Sequence, residues 1–77
     1  MTDTTFNGWA NYETWNVALY IQNEYAMYKM AQGWAEHGYK SLAHNLNECF
    51  GPMTADGVSW FDSQLDTDEL NEMLQEL

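Results

Sequence analysis

Asn11-Tyr12-Glu13-Thr14-Trp15-Asn16-Val17-Ala18-Leu19-Tyr20-Ile21 carries the densest aromatic and aliphatic material in the chain, and the architecture is read outward from it. Asn11 suits a helix N-cap, because its side-chain oxygen can accept from an unpaired amide of the first turn. Glu13 follows in that turn, where the helix dipole favours a negative charge. At about 100° per residue, Tyr12, Trp15, Ala18, Leu19, Ala26 and Met30 gather on one side. Val17, Ile21, Tyr25 and Tyr28 widen the apolar arc to roughly half the circumference. Asn16, Tyr20, Asn23 and Glu24 fill the polar remainder. A face this wide needs cover from several directions, so later elements are expected to pack around a long first helix from Asn11 to about Glu36. A bend is expected near Gln22-Asn23-Glu24, and Gly33 weakens the last turns. Trp15 and its aromatic neighbours read as core rather than as a ligand site.

Downstream, His37-Gly38 is a stop signal, with Gly38 supplying a left-handed C-terminal conformation. Ser41 is the expected cap of the next helix. Leu42, Leu46, Cys49 and Phe50 then form an apolar face at i, i+4, i+7 and i+8, ended by Gly51-Pro52. On that face Cys49 reads as a small buried hydrophobe. Asp56-Gly57 marks a turn. Val58, Phe61 and Leu65, with Trp60 beside them, give a short apolar face. Leu70, Met73, Leu74 and Leu77 give another, and the two are misaligned by roughly 140° on one helix. A break is therefore expected near Leu65-Asp66, where Asp66 and Glu69 form a capping-box pattern with Asp in the cap role. No β-branched alternation and no internal repeat is present. The expected fold is all-α: one small domain of about four helices over residues 9–77, preceded by a loose, polar stretch over 1–8, with Trp9 tucked back as a hydrophobic lead-in.

The segment Gly8-Trp9 followed by Asn11-Tyr12-Glu13-Thr14-Trp15-Asn16-Val17-Ala18-Leu19 resembles the opening motif of short uncharacterised proteins of bacteria and their phages. The likeness covers about the first third of the chain. It implies a phage or bacterial setting and carries no activity onto any residue.

Composition bounds the function classes. A chain of 77 residues is one domain, and its 4 Trp, 5 Tyr and 3 Phe supply enough buriable area to argue against disorder. The single Cys forms no intrachain disulfide, which fits a reducing cytoplasm. Met1-Thr2-Asp3-Thr4-Thr5 lacks the basic and apolar regions of a signal peptide, and no apolar run reaches membrane-spanning length. The expected setting is the cytoplasm, that of the host cell for a phage protein.

Twelve acidic residues against two basic ones give a formal net charge of -10. Such a chain is repelled by nucleic acid and by anionic membranes. Its electrostatic partners are basic surfaces, including those that other proteins use to hold nucleic acid. The plain alternative is solubility alone. After Lys40 come Glu48, Asp56, Asp62, Asp66, Asp68, Glu69, Glu72 and Glu76 with no further Lys or Arg. On the last helix Asp68, Glu69, Glu72 and Glu76 share an arc of roughly 100°. Taken as one helix, six carboxylates from Asp62 to Glu76 span about 21 Å, or about one per 4 Å, against about 3.4 Å per phosphate along one DNA strand.

Enzyme chemistry is not indicated. His37, His44 and Cys49 match no zinc spacing, and no metal or cofactor is expected. The Asp66-x-Asp68 start of a calcium loop fails at Leu70 and Asn71. Glycine-rich phosphate loops and the Gly-x-Ser-x-Gly elbow are missing. A His44–Cys49 pair would need a cleft for which the domain has little room, and the Asp62/Asp66 pair looks too exposed for acid–base work. Two readings stand side by side. In one, Asp62, Asp66, Asp68, Glu69, Glu72 and Glu76 bind a basic nucleic-acid-binding surface of a host defence machine, a CRISPR effector or a restriction enzyme, as an inhibitor that imitates DNA. In the other, the chain is a small regulatory or homodimeric module using apolar contacts from Trp60, Phe61, Tyr39 or Trp9.

Overall fold

The computed structural model describes residues 6–77, and among them the all-α expectation holds. Helix α1 runs Tyr12–Asn23 and α2 Tyr25–Trp34; a 3-10 turn follows at Ala35–His37; α3 is Tyr39–Phe50 and α4 is Thr67–Glu76. Four α-helices are present among the described residues, but they divide the chain differently from the expectation. The long first helix is two, and the segment from Val58 to Leu65 is not helical.

The break falls at Glu24, whose backbone is extended (φ -88°, ψ 114°). Its N–H still donates to the Tyr20 carbonyl at 2.9 Å, and its own carbonyl accepts from Tyr28 N–H at 2.8 Å. The interruption therefore leaves few backbone groups unpaired. It also resets the helical wheel, so Ala26 and Met30 no longer continue the face of α1. On α1 the buried side is Thr14, Val17, Ala18 and Ile21, rotated by roughly 140° from the Tyr12–Trp15–Leu19 face. Tyr12 and Leu19 are exposed and Trp15 is half-buried.

Helices α1 and α4 pack on each other, α2 joins α1 to α3, and α3 closes against α4. The core comprises Val17, Ala18 and Ile21 of α1, Met27 and Ala31 of α2, Tyr39, Leu42, Ala43 and Leu46 of α3, and Leu70, Met73 and Leu74 of α4, with Val58 and Trp60 from the loop. Trp9 packs against its edge, as expected of a hydrophobic lead-in.

Trp60 explains why the 58–65 segment is irregular. It is fully buried, its indole N–H donates to the Gly51 carbonyl at 2.9 Å, and its own carbonyl accepts from the Tyr39 hydroxyl at 2.7 Å. Around it, Ser59 Oγ accepts from Phe61 N–H at 3.1 Å and Asp62 Oδ1 from Gln64 N–H at 2.7 Å. These short-range bonds offer the backbone an alternative to the helical ladder. Burial thus separates Trp60 from Phe61, which stays 48% exposed.

Two further expectations are corrected. Helix α3 begins at Tyr39, and the Tyr39 N–H is capped by Asn71 Oδ1 of α4 at 2.7 Å, so Ser41 lies inside the helix. Cys49 is exposed, because Leu42 and Leu46 meet the core while the final turn of α3 projects past it.

Polar residues of the Asn11–Asn16 motif tie the fold together. Asn11 Oδ1 accepts from Thr14 N–H at 2.9 Å, the cap expected of it, and its amide donates to the Gln64 carbonyl. Thr14 is fully buried and its hydroxyl accepts from Asp66 N–H at 2.9 Å. Asn16, placed by its wheel position in the polar sector, is also fully buried: its amide donates to Asp56 Oδ2 at 2.8 Å and its oxygen accepts from the Thr54 hydroxyl at 2.6 Å. That hydroxyl in turn accepts from Val58 N–H at 3.2 Å. The motif thus holds the 54–66 loop against α1. No buried side-chain polar atom among the described residues lacks a partner.

Of the stretch expected to be loose, residues 1–5 lie outside the described part. Phe6 to Trp9 form a tight turn, with paired backbone bonds of 2.7 and 2.8 Å and positive φ at both Asn7 and Gly8. An Asn-Gly pair with two positive φ values is the signature of a type I′ hairpin turn.

Candidate protein-interaction surface on α4

Asp66 caps α4: its side chain accepts from Glu69 N–H at 3.1 Å. Only half of the capping box forms. Glu69 Oε1 accepts instead from Ala10 N–H at 2.7 Å, binding the N-terminal turn to α4. Leu70, Met73 and Leu74 bury one face of the helix. Its flank beside the 3-10 turn is held by Asn71, through Tyr39 N–H, and by Gln75, whose amide donates to the Ala35 carbonyl at 3.1 Å. With Glu69 pinning the other flank, the strip left facing outward is Asp68, Glu72 and Glu76, all exposed.

The six expected carboxylates therefore do not form one array. Asp62, Asp66 and Glu69 are half-buried and engage backbone amides, and Asp62 lies apart from α4, in a groove with Lys40. The three outward carboxylates recur every four residues, a rise of about 6 Å each. That is nearly twice the axial spacing of phosphates on a DNA strand, so the density expected from an unbroken helix is not reached. Beside the strip, Glu69, Glu72 and Glu76 line a shallow hollow of about 230 Å³ with Trp9 and Gln22. The strip can thus present carboxylates to donors on another surface, with an indole at its margin.

Aromatic residues form a second exposed surface. The Phe6 ring lies 5.5 Å from Tyr12, edge-on, and 4.7 Å from Trp15, and Phe6 and Tyr12 are both exposed. Phe6 had no place in the sequence reading, although the Asn7-Gly8 turn that folds it back was a legible signal. Of the four residues expected to make an apolar contact, Trp60 and Tyr39 are interior, Trp9 is half-buried and Phe61 alone is open.

Two tyrosine hydroxyls are shifted by their surroundings. Burial pushes the Tyr39 hydroxyl well above the ordinary tyrosine range. Tyr20 is also shifted upward, by desolvation first and then by donating to Asp56 Oδ2 at 3.2 Å. No cluster of His, Cys, Asp and Glu among the described residues is arranged to hold a metal ion. No helix among the described residues is long and apolar enough to cross a membrane.

No curated protein and no solved structure matches the chain. A family of unknown function (DUF7249) matches it across residues 2–77, and the chain belongs to that family.

Proposed function

We propose that this chain is a non-enzymatic acidic binding protein. It seats the Asp68–Glu72–Glu76 strip of α4 on the basic, nucleic-acid-binding surface of another protein. In a phage or bacterial setting, the act this serves is inhibition of a host defence nuclease of the CRISPR-effector or restriction-enzyme kind, in the host cytoplasm. The observation that carries the reading is the outward strip itself. Its flanks are committed to Ala10, Tyr39 and Ala35, so three carboxylates are held on a rigid helix with no competing packing role. A net charge of -10 adds long-range attraction to any cationic groove. With a rise of about 6 Å between carboxylates, any imitation of DNA lies in the sign of the charge and not in the phosphate spacing.

A second reading, an apolar interaction module or homodimer, is favoured by the exposed Phe6–Tyr12 pair. A cleavage-protection assay separates the two. A panel of purified restriction and CRISPR nucleases is challenged with wild type, with Asp68→Lys/Glu72→Lys/Glu76→Lys, and with a control reversing Glu24 and Glu48, which are exposed elsewhere. Inhibition lost in the α4 variant and kept in the control supports the strip. Inhibition indifferent to both, but lost on Phe6→Ser/Tyr12→Ser, supports the apolar module.

A further inference from the structure

We propose that the groove between the start of α3 and the 60–67 segment is a binding site for a small zwitterion with a flat apolar body, of the aromatic α-amino acid class. This site lies apart from the α4 strip and does not depend on the reading given to it. The groove encloses about 380 Å³, within the range of small-molecule pockets. Lys40 and His44 stand one turn apart on one wall, and Phe61, Asp62 and Ser63 lie on the other.

Charge selects the ligand. Lys40 is one of only two Lys or Arg residues, and it shares the groove with a carboxylate. A chain of strongly negative character thus presents one charge of each sign here. A purely anionic or purely cationic ligand meets one matching group and one opposing group, whereas a zwitterion matches both. Asp62 is oriented by accepting Gln64 N–H at Oδ1, and a carboxylate has further acceptor sites for an ammonium group. Lys40 and the Ser63 hydroxyl are donors for a ligand carboxylate.

The flat body is argued from Phe61. Its ring sits 5.0 Å from the His44 imidazole at 58°, and the residue is 48% exposed. The two rings make an aromatic wall onto which a further ring can stack. Deeper polar groups are already paired: the Tyr39 hydroxyl with the Trp60 carbonyl, and the Trp60 indole with Gly51. Polar recognition is left to the rim, where the two charges are.

The test is an amide chemical-shift titration of the intact chain with L-phenylalanine, phenethylamine and 3-phenylpropionate, which share a ring and differ in charge. The expected result is saturable shifts at Lys40, His44, Phe61 and Ser63, with the amino acid about three- to fivefold tighter than either analogue, the scale of one exposed ion pair. Lys40→Gln is expected to abolish the preference over the amine. Asp62→Asn, which keeps the acceptor for Gln64, is expected to abolish the preference over the acid. Spectra unchanged outside the groove report that both variants are folded. Absence of saturable shifts up to the solubility limit, equal binding of all three compounds, or shifts centred elsewhere would overturn the assignment.

Discussion

Replacing Asn16 with Ala removes one amide and tests how the irregular half of the molecule is held. Asn16 is fully buried; it donates to Asp56 at 2.8 Å and accepts from Thr54 at 2.6 Å. Asp56 is exposed and keeps the Tyr20 hydroxyl at 3.2 Å, so water readily takes over its lost bond. Thr54 is only 4% exposed, and its hydroxyl is left with a proton and no acceptor. Such an orphaned group costs about 1–3 kcal/mol, and the small cavity adds up to about 1 kcal/mol. The expected loss is about 1–4 kcal/mol, from a total of about 4–12 kcal/mol for a domain of 77 residues. At about 4–8 °C per kcal/mol, the midpoint falls by about 4–32 °C. Thermal unfolding followed by tryptophan fluorescence reads this directly, with Trp60 as an interior reporter. Adding Thr54→Val removes the orphaned hydroxyl, so the double variant should be less destabilised than the sum of the singles by about 1 kcal/mol or more. A midpoint shift below about 4 °C, or strict additivity, would refute the reasoning, since the loop would then be held without this clamp.

Other consequences follow from single residues. The folded pKa of Tyr39 is raised, so its stabilisation is complete below the unfolded value near 10 and is lost as pH climbs from there through the folded value. Stability should fall by up to about 1.4 kcal/mol per pH unit above about pH 10, and Tyr39→Phe should flatten that limb while lowering neutral-pH stability by about 1–3 kcal/mol, through the unpaired Trp60 carbonyl. Gly38 adopts φ 87° and ψ 166°, a region nearly exclusive to glycine, so Gly38→Ala should cost about 1–3 kcal/mol in urea unfolding. Gly33→Ala, inside α2 with open space at its Cβ position, should stabilise by about 0.5–1 kcal/mol in the same assay. Cys49 should react with a maleimide in the folded protein nearly as fast as in urea; strong protection would restore it to the interior.

Much of the fold was legible because its signals are local. Asp66 and the Leu70–Met73–Leu74 face lie within about two turns of each other, so the cap and the apolar face of α4 are both local signals. Gly51-Pro52 ends α3 by the same short-range chemistry. What escaped depends on partners far along the chain. Asn16 looks solvent-facing until Thr54 and Asp56 arrive from about forty residues away. Helix α3 starts at Tyr39 because Asn71, on another helix, supplies the cap. The apolar spacing of Val58, Phe61 and Leu65 suggests a helix, yet the burial of Trp60 and the turn bonds of Ser59 and Asp62 override it.

The candidate surface divides the same way. Its charge follows from composition, and the 100° arc on α4 follows from helical spacing. The density of carboxylates does not, because Asp62, Asp66 and Glu69 are drawn into capping and tethering. The Asn11–Asn16 motif, the most distinctive stretch in the sequence, is absorbed by architecture: Asn11, Thr14 and Asn16 each bond the segment between Thr54 and Asp66.

The most direct measurement of the α4 strip as a binding surface is capture from a bacterial lysate at about 0.1 M and 1 M salt, where the screening length shortens from about 10 to 3 Å, with the retained proteins identified. Wild type and the Glu24/Glu48 reversal are predicted to retain the same nucleic-acid enzyme at low salt and to release it at high salt, while Asp68→Lys/Glu72→Lys/Glu76→Lys retains none of it. Retention of one partner by all three proteins, unchanged by salt, would contradict the account.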